Sequence, residues 1–112
     1  MKGTSIGEFE ELCLLAVGVL YPEAYGLSIK DEIENRTGRS ATISTVHSTL
    51  IRLEEKGFLQ SEMGGATEAR GGRTKRLFEL TAFGKNVINE ARELRNGMWR
   101  DIPKVIWEGS SK

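Results

Sequence analysis

Residues 42–84 constrain the fold more than any other stretch of the chain. Ile43, Val46, Leu50 and Leu53 recur at helical spacing, while Thr45, His47, Ser48, Thr49 and Arg52 lie on the opposite face. Ser44, or Thr42, is the N-cap, and Gly57 closes the helix. Two weakly alternating segments follow, 59–63 and 75–80. Between them runs a glycine-rich loop with Arg70 and Arg73, and Lys75 and Arg76 come directly after it. Thr81 then caps another helix. An amphipathic helix followed by a basic hairpin and a capped helix predicts a winged helix-turn-helix. The helix suits a major groove, and the hairpin reaches the backbone or a minor groove of double-stranded DNA.

The remaining segments fit that frame. Glu8–Leu20 reads as a first helix, with Glu8, Glu10 and Glu11 where the helix dipole favours negative charge. It is apolar nearly all round, which predicts burial both in its own domain and against another element. Pro22 ends it. Residues 25–37 read as a second helix with Ile29 and Ile33 inward and Gly38 just past its end. A short strand over Ala41, Thr42 and Ile43 is expected before the third helix. After Thr81, the residues Val87, Ala91, Leu94 and Met98 recur at spacings of four, three and four, as in a helix–helix seam. Two heptads are marginal alone, so the seam needs support from the first helix. Gly97 and Pro103 mark candidate breaks, and Ile102, Val105, Ile106 and Trp107 form an apolar tail.

The expected class is therefore α+β, mostly α: a winged helix-turn-helix with a C-terminal dimerisation helix. Residues 1–80 form the DNA-binding domain, and residues 81–112 the dimerisation helix and tail. A chain of 112 residues with 38% hydrophobic and 29% charged side chains can bury a core without metal or disulfide. The single cysteine, Cys13, lies in an apolar run and reads as a buried structural thiol rather than a redox sensor. No apolar run approaches the roughly 20 residues needed to span a bilayer, and the N-terminus lacks signal-peptide character. A cytoplasmic protein without membrane association is expected.

The net charge is zero, but its distribution is uneven. Residues 1–43 hold four basic and seven acidic side chains, whereas residues 70–76 hold four basic and no acidic ones. A basic hairpin alone is often a solvated loop; joined to the polar-faced helix it favours DNA. A winged helix used only for protein interaction is the rival reading, and four cations without acids argue against it. Enzyme activity is not expected. There is one histidine, no paired metal-ligand spacing, and no phosphate-loop signature after the glycine pairs, so no cofactor or metal is expected.

The chain also resembles the PadR family of bacterial transcriptional regulators in its short form. The likeness rests on Gly7-Glu8-Phe9-Glu10-Glu11, Ala24-Tyr25-Gly26, Ile43-Ser44-Thr45-Val46-His47-Ser48-Thr49-Leu50 and Arg52-Leu53-Glu54-Glu55-Lys56-Gly57. It continues through Gly71-Gly72-Arg73-Thr74-Lys75-Arg76 and Leu80-Thr81-Ala82-Phe83-Gly84. The resemblance implies a homodimer held by the C-terminal helix and the first helix, and repression through operator binding. Many members carry tyrosine at the position of His47, so a backbone contact from this histidine is not inherited automatically. His47 also admits the reading of an exposed polar residue with no role.

The candidate DNA-contacting residues are Ser44, Thr45, His47, Ser48, Thr49, Arg52, Arg70, Arg73, Lys75 and Arg76. Their hydroxyls and guanidinium groups suit phosphates and base edges, and Arg73 suits minor-groove insertion. The candidate dimer interface comprises Phe9, Leu12, Val87, Ala91, Leu94, Met98 and Trp99. Trp99 admits two roles, dimer packing or, with Leu12, the wall of a pocket for a small aromatic effector. Some relatives bind flat aromatic compounds there and lose DNA affinity. Two-fold symmetry predicts a pseudo-palindromic operator.

Overall fold

In the computed structural model, residues 5–64 and 75–108 are described. They form α1 (Glu8–Leu20), α2 (Gly26–Thr37), α3 (Ile43–Glu55), β1 (Leu59–Gly64), β2 (Lys75–Leu80), α4 (Ala82–Asp101) and α5 (Lys104–Trp107). Each boundary has a local cause. Thr42 is the N-cap of α3, its Oγ1 accepting from the Thr45 amide at 3.1 Å; such a cap is worth about 1 kcal/mol. Gly57, at φ 88°, ends α3. The Gly57 amide donates to the Glu54 carbonyl and the Phe58 amide to the Leu53 carbonyl, both at 3.0 Å. That pair of bonds is a Schellman motif, and it turns the chain directly into β1. Gly38, at φ 74°, closes α2 in the same left-handed conformation.

β1 and β2 pair antiparallel from Leu59 opposite Leu80 to Gly64 opposite Lys75. The base of the hairpin is core: Phe58, Leu59 and Phe78 are buried with Leu14, Val17, Ile29, Val46, Leu50 and Leu53. The expected strand over 41–43 does not form. The edge of the hairpin is met by Ala24, whose carbonyl accepts from the Phe78 amide at 2.8 Å. The Ala41 amide instead donates to the Glu34 carboxylate at 2.9 Å, which fixes the turn before α3.

Thr81 joins the hairpin to α4. Its Oγ1 accepts from the Gly84 amide at 3.0 Å and donates to the Gly57 carbonyl at 2.7 Å. The first turns of α4 then pack on the core through buried Gly84 and Val87. Gly97 does not break the helix, which runs on to Asp101 before Pro103 starts α5. The second half of α4 leaves the core, and Leu94, Met98 and Trp99 are each about two thirds exposed (64–65%). α5 folds back so that Trp107 stacks on Trp99, ring centroids 5.8 Å apart.

α1 buries Cys13, Leu14, Ala16 and Val17, while Leu15 and Val19 on its other side stay exposed. Burial pushes the Cys13 thiol up to about 12, helped by the nearby Glu10 charge and opposed by Arg52. The thiolate is the nucleophile, so native protein at pH 8 should resist a thiol-reactive dye, and reaction should appear only as denaturant unfolds the core. Rapid labelling without denaturant would contradict that burial.

Candidate nucleic-acid interface

α3 presents a polar face because its apolar face is consumed by the core. Val46, Leu50 and Leu53 are fully buried, and Ser44, Thr45, His47 and Ser48 are exposed on the first turns. Ser48 Oγ donates back to the Ser44 carbonyl at 3.1 Å, which leaves its oxygen as an acceptor. The His47 ring lies against Gly26 at the start of α2. A Cβ at Gly26 would stand 2.9 Å from His47 Nε2, so any larger residue there would push the ring aside.

Thr49 is a correction to the sequence reading. It is 2% exposed, and its hydroxyl donates to the Thr45 carbonyl at 2.8 Å. Its side chain is buried and its proton is spent on the helix, so it is not part of the exposed face of α3. Arg52, one turn from Ser48, is half exposed and reaches back to α1. Its Nε donates to Glu10 Oε2 at 3.2 Å, and Lys56 Nζ donates to the same oxygen at 3.1 Å. Glu10 Oε1 accepts the Gly7 amide at 2.9 Å. Burial pushes this carboxyl up, but the Gly7 amide, Lys56 and Arg52 outweigh it and hold Glu10 below the usual carboxylate range.

Sequence reasoning missed Arg39. It follows the Gly38 turn, pairs with Glu8 at 3.2 Å and lies 5.9 Å over the Phe9 ring. Arg39, Phe9, Thr42, Thr45 and Arg52 line a hollow of about 530 Å³ beside the start of α3. The only advance signal was the Gly38 turn, which aims the next residue toward the third helix.

In the wing, Arg70 and Arg73 lie outside the described residues. Lys75 Nζ stands 4.1 Å over the Tyr25 ring, a cation–π contact tying β2 to the start of α2. Arg76 Nη2 donates to Glu54 Oε1 at 2.9 Å and its Nε to Ser61 Oγ at 3.0 Å. Ser61 Oγ donates in turn to Glu54 Oε2 at 2.9 Å. Arg76 thus staples the hairpin to α3.

The expected dimer residues divide. Val87 is a second correction: at 3% exposure it belongs to the chain's own core. Phe9 lies under Arg39 on the α3 side. Leu12 is half buried in a small apolar groove between α1 and α2, with Leu15, Val19 and Ile33. Ala91, Leu94, Met98 and Trp99 share the outer part of α4. Trp99 borders a hollow of about 480 Å³ between α1 and α4, with Leu15, Ile88, Arg92 and Arg95. Within one chain, Leu12 and Trp99 therefore line different hollows.

Among the described residues, no His, Cys, Asp and Glu side chains cluster to hold a metal ion, and no helix is long and apolar enough to cross a membrane.

Known proteins share this architecture. An uncharacterized protein of Lysinibacillus sphaericus is 29% identical over 90 residues, 79% of this chain and 76% of that protein. The fold is similar to that of a PadR family transcriptional regulator from Eggerthella lenta, with a TM-score of 0.65 and 22% identity over 92% of this chain and 88% of that one. It is also similar to RosR of H. salinarum, with a TM-score of 0.70 and 19% identity over 88% and 82% of the two chains. Identities this low speak for the fold alone. The profile of the transcriptional regulator PadR-like family, a family of regulators and not of enzymes, matches residues 13–90, which takes in α2, α3, the hairpin and half of α4. With that match over more than half its length, the chain belongs to the PadR-like family of transcriptional regulators.

Proposed function

We propose that this chain is a sequence-specific DNA-binding regulator, a homodimer that represses by occupying a pseudo-palindromic operator. The observation that carries the reading is the exposed Ser44, Thr45, His47 and Ser48 face of α3, held outward by a helix whose other face is core. Short hydroxyls and an imidazole at a helix N-terminus suit phosphates and base edges. Arg52 extends that face, and Arg70 and Arg73 bring the wing's charge to the backbone or a minor groove. Residues 1–80 read the duplex, and residues 81–112 pair the protomers.

Support for the dimer comes from the exposed Leu94, Met98 and Trp99, joined by Val105, Ile106 and Trp107 of α5. An apolar patch of this kind on a charged chain marks an interaction surface. The hollow beside Trp99 is of a size for a small aromatic effector whose binding releases DNA. Such a regulator works in the cytoplasm, where the chromosome is.

Fluorescence anisotropy tests the reading, with a duplex from the gene's own upstream region beside a scrambled one at two salt concentrations. Expected is preference for the native duplex by roughly a thousandfold, with both affinities falling steeply with salt. Equal weak binding to both would remove the sequence-specific reading. No binding at low salt would favour a protein-interaction module.

A further inference from the structure

We propose that Glu10 on α1 is a positioning residue for base recognition: it clamps the inner edge of Arg52 so that the guanidinium meets the duplex end-on. This rests on the reading of α3 as the DNA-facing helix. Glu10 is itself anchored, its side chain only 13% exposed and its Oε1 fixed by the Gly7 amide at 2.9 Å. Its Oε2 takes Arg52 Nε at 3.2 Å, and the buried Thr49 hydroxyl lies 3.5 Å from Arg52 Nη2. These contacts engage the edge of the guanidinium nearest the protein. The Nη1 group and the remaining Nη2 proton are then the donors left to bridge the two acceptors of a guanine. An arginine held in this way loses less rotamer freedom on binding, so more of the contact energy separates right from wrong base.

Charge favours the same assignment. Arg52, Lys56 and Glu10 together carry a net single positive charge, so the carboxylate orients without cancelling attraction to phosphate. Arg52 is half exposed, and an ion pair to such a side chain adds little to stability, so a clamp that joins residues 42 apart in sequence is better explained by what it positions. Thr49, buried off the exposed face, gains a role as the second wall of the clamp.

The test is a double-mutant cycle on the full chain with Glu10→Gln, Arg52→Ala and both together. Glutamine keeps an acceptor for the Gly7 amide, so α1 retains its cap, and thermal midpoints report folding. The readout is the affinity ratio between the native duplex and duplexes with single base pairs changed within the half-site. Expected is about a tenfold loss of discrimination for Glu10→Gln in the presence of Arg52 and less than about twofold in its absence. Undiminished discrimination in Glu10→Gln would overturn the proposal. So would an equal loss in both backgrounds, because Glu10 would then act through the fold. If the unmutated chain does not discriminate between duplexes at all, the DNA reading itself fails, and that result is separate from the other two.

Discussion

Gly84→Ala is expected to lower the unfolding midpoint by about 10 °C or more. Gly84 lies in the first turn of α4, and a Cβ there would collide with the backbone carbonyl of Phe58. That carbonyl cannot yield easily, because it accepts the Thr81 amide at 3.1 Å and belongs to the turn that leads into β1. Alanine normally gains up to about 1 kcal/mol over glycine inside a helix. Forcing a methyl group against fixed backbone costs about 1–3 kcal/mol or more, and here it also prises α4 from the core that Val87 enters. The collision should win by about 2 kcal/mol, and in a domain of this size each kcal/mol moves the midpoint by about 4–8 °C. Gly97→Ala is the contrast. Its Cβ would meet only the flexible end of Arg100 at 3.5 Å, so the propensity gain should stand and the midpoint should rise slightly. Circular dichroism melts at one fixed protein concentration would decide it. A Gly84→Ala midpoint within about 2 °C of the parent chain would mean that α4 does not approach β1 this closely.

These two glycines also show where sequence carries structure. Caps and stops are local, so Thr81, Gly38 and Gly57 marked helix ends in advance and the structure uses all three, while of the two cap candidates before α3, Ser44 and Thr42, it uses Thr42. The hairpin was legible for the same reason, since alternation needs only neighbours. Long-range partners were not. Nothing beside Glu10 in sequence announces Arg52, and nothing beside Glu54 announces Arg76. Thr49 was misassigned because threonine is polar in a list but neutral at a helix edge, where its hydroxyl can bond the preceding turn. Val87 was misassigned because a heptad spacing shows that one face is apolar without showing what covers it. The strand expected at 41–43 is absent: the Ala41 amide bonds the Glu34 side chain instead of a strand, and the partner of β2 at Phe78 is Ala24. Gly84 itself carried no signal beyond its place after a cap, because its partner is backbone 26 residues away.

Leu94→Asp combined with Met98→Asp should turn the proposed dimer into a folded monomer and weaken operator binding at least a hundredfold. Both side chains are about two thirds exposed in the isolated chain, so the substitutions leave the core intact and the thermal midpoint of the monomer should remain measurable. In a dimer the same positions become a seam, and an unpaired carboxylate buried there costs about 3–5 kcal/mol. Four of them across a two-fold interface exceed what a short helical seam returns. The DNA effect follows from linkage. Two joined reading heads bind the second half-site at a high effective concentration, and separating them removes about 10²–10⁴ of affinity without altering one base contact. Light scattering would give the mass, and anisotropy the affinity for whole and half operators. The decisive comparison is the half-site: its affinity should be nearly the same for the double variant and the parent chain, while the whole-site affinity falls. Loss on both would place Leu94 and Met98 in the reading unit. A dimer that survives both substitutions would move the interface elsewhere, toward Leu15 and Val19, on the apolar side of α1 that the described residues leave exposed.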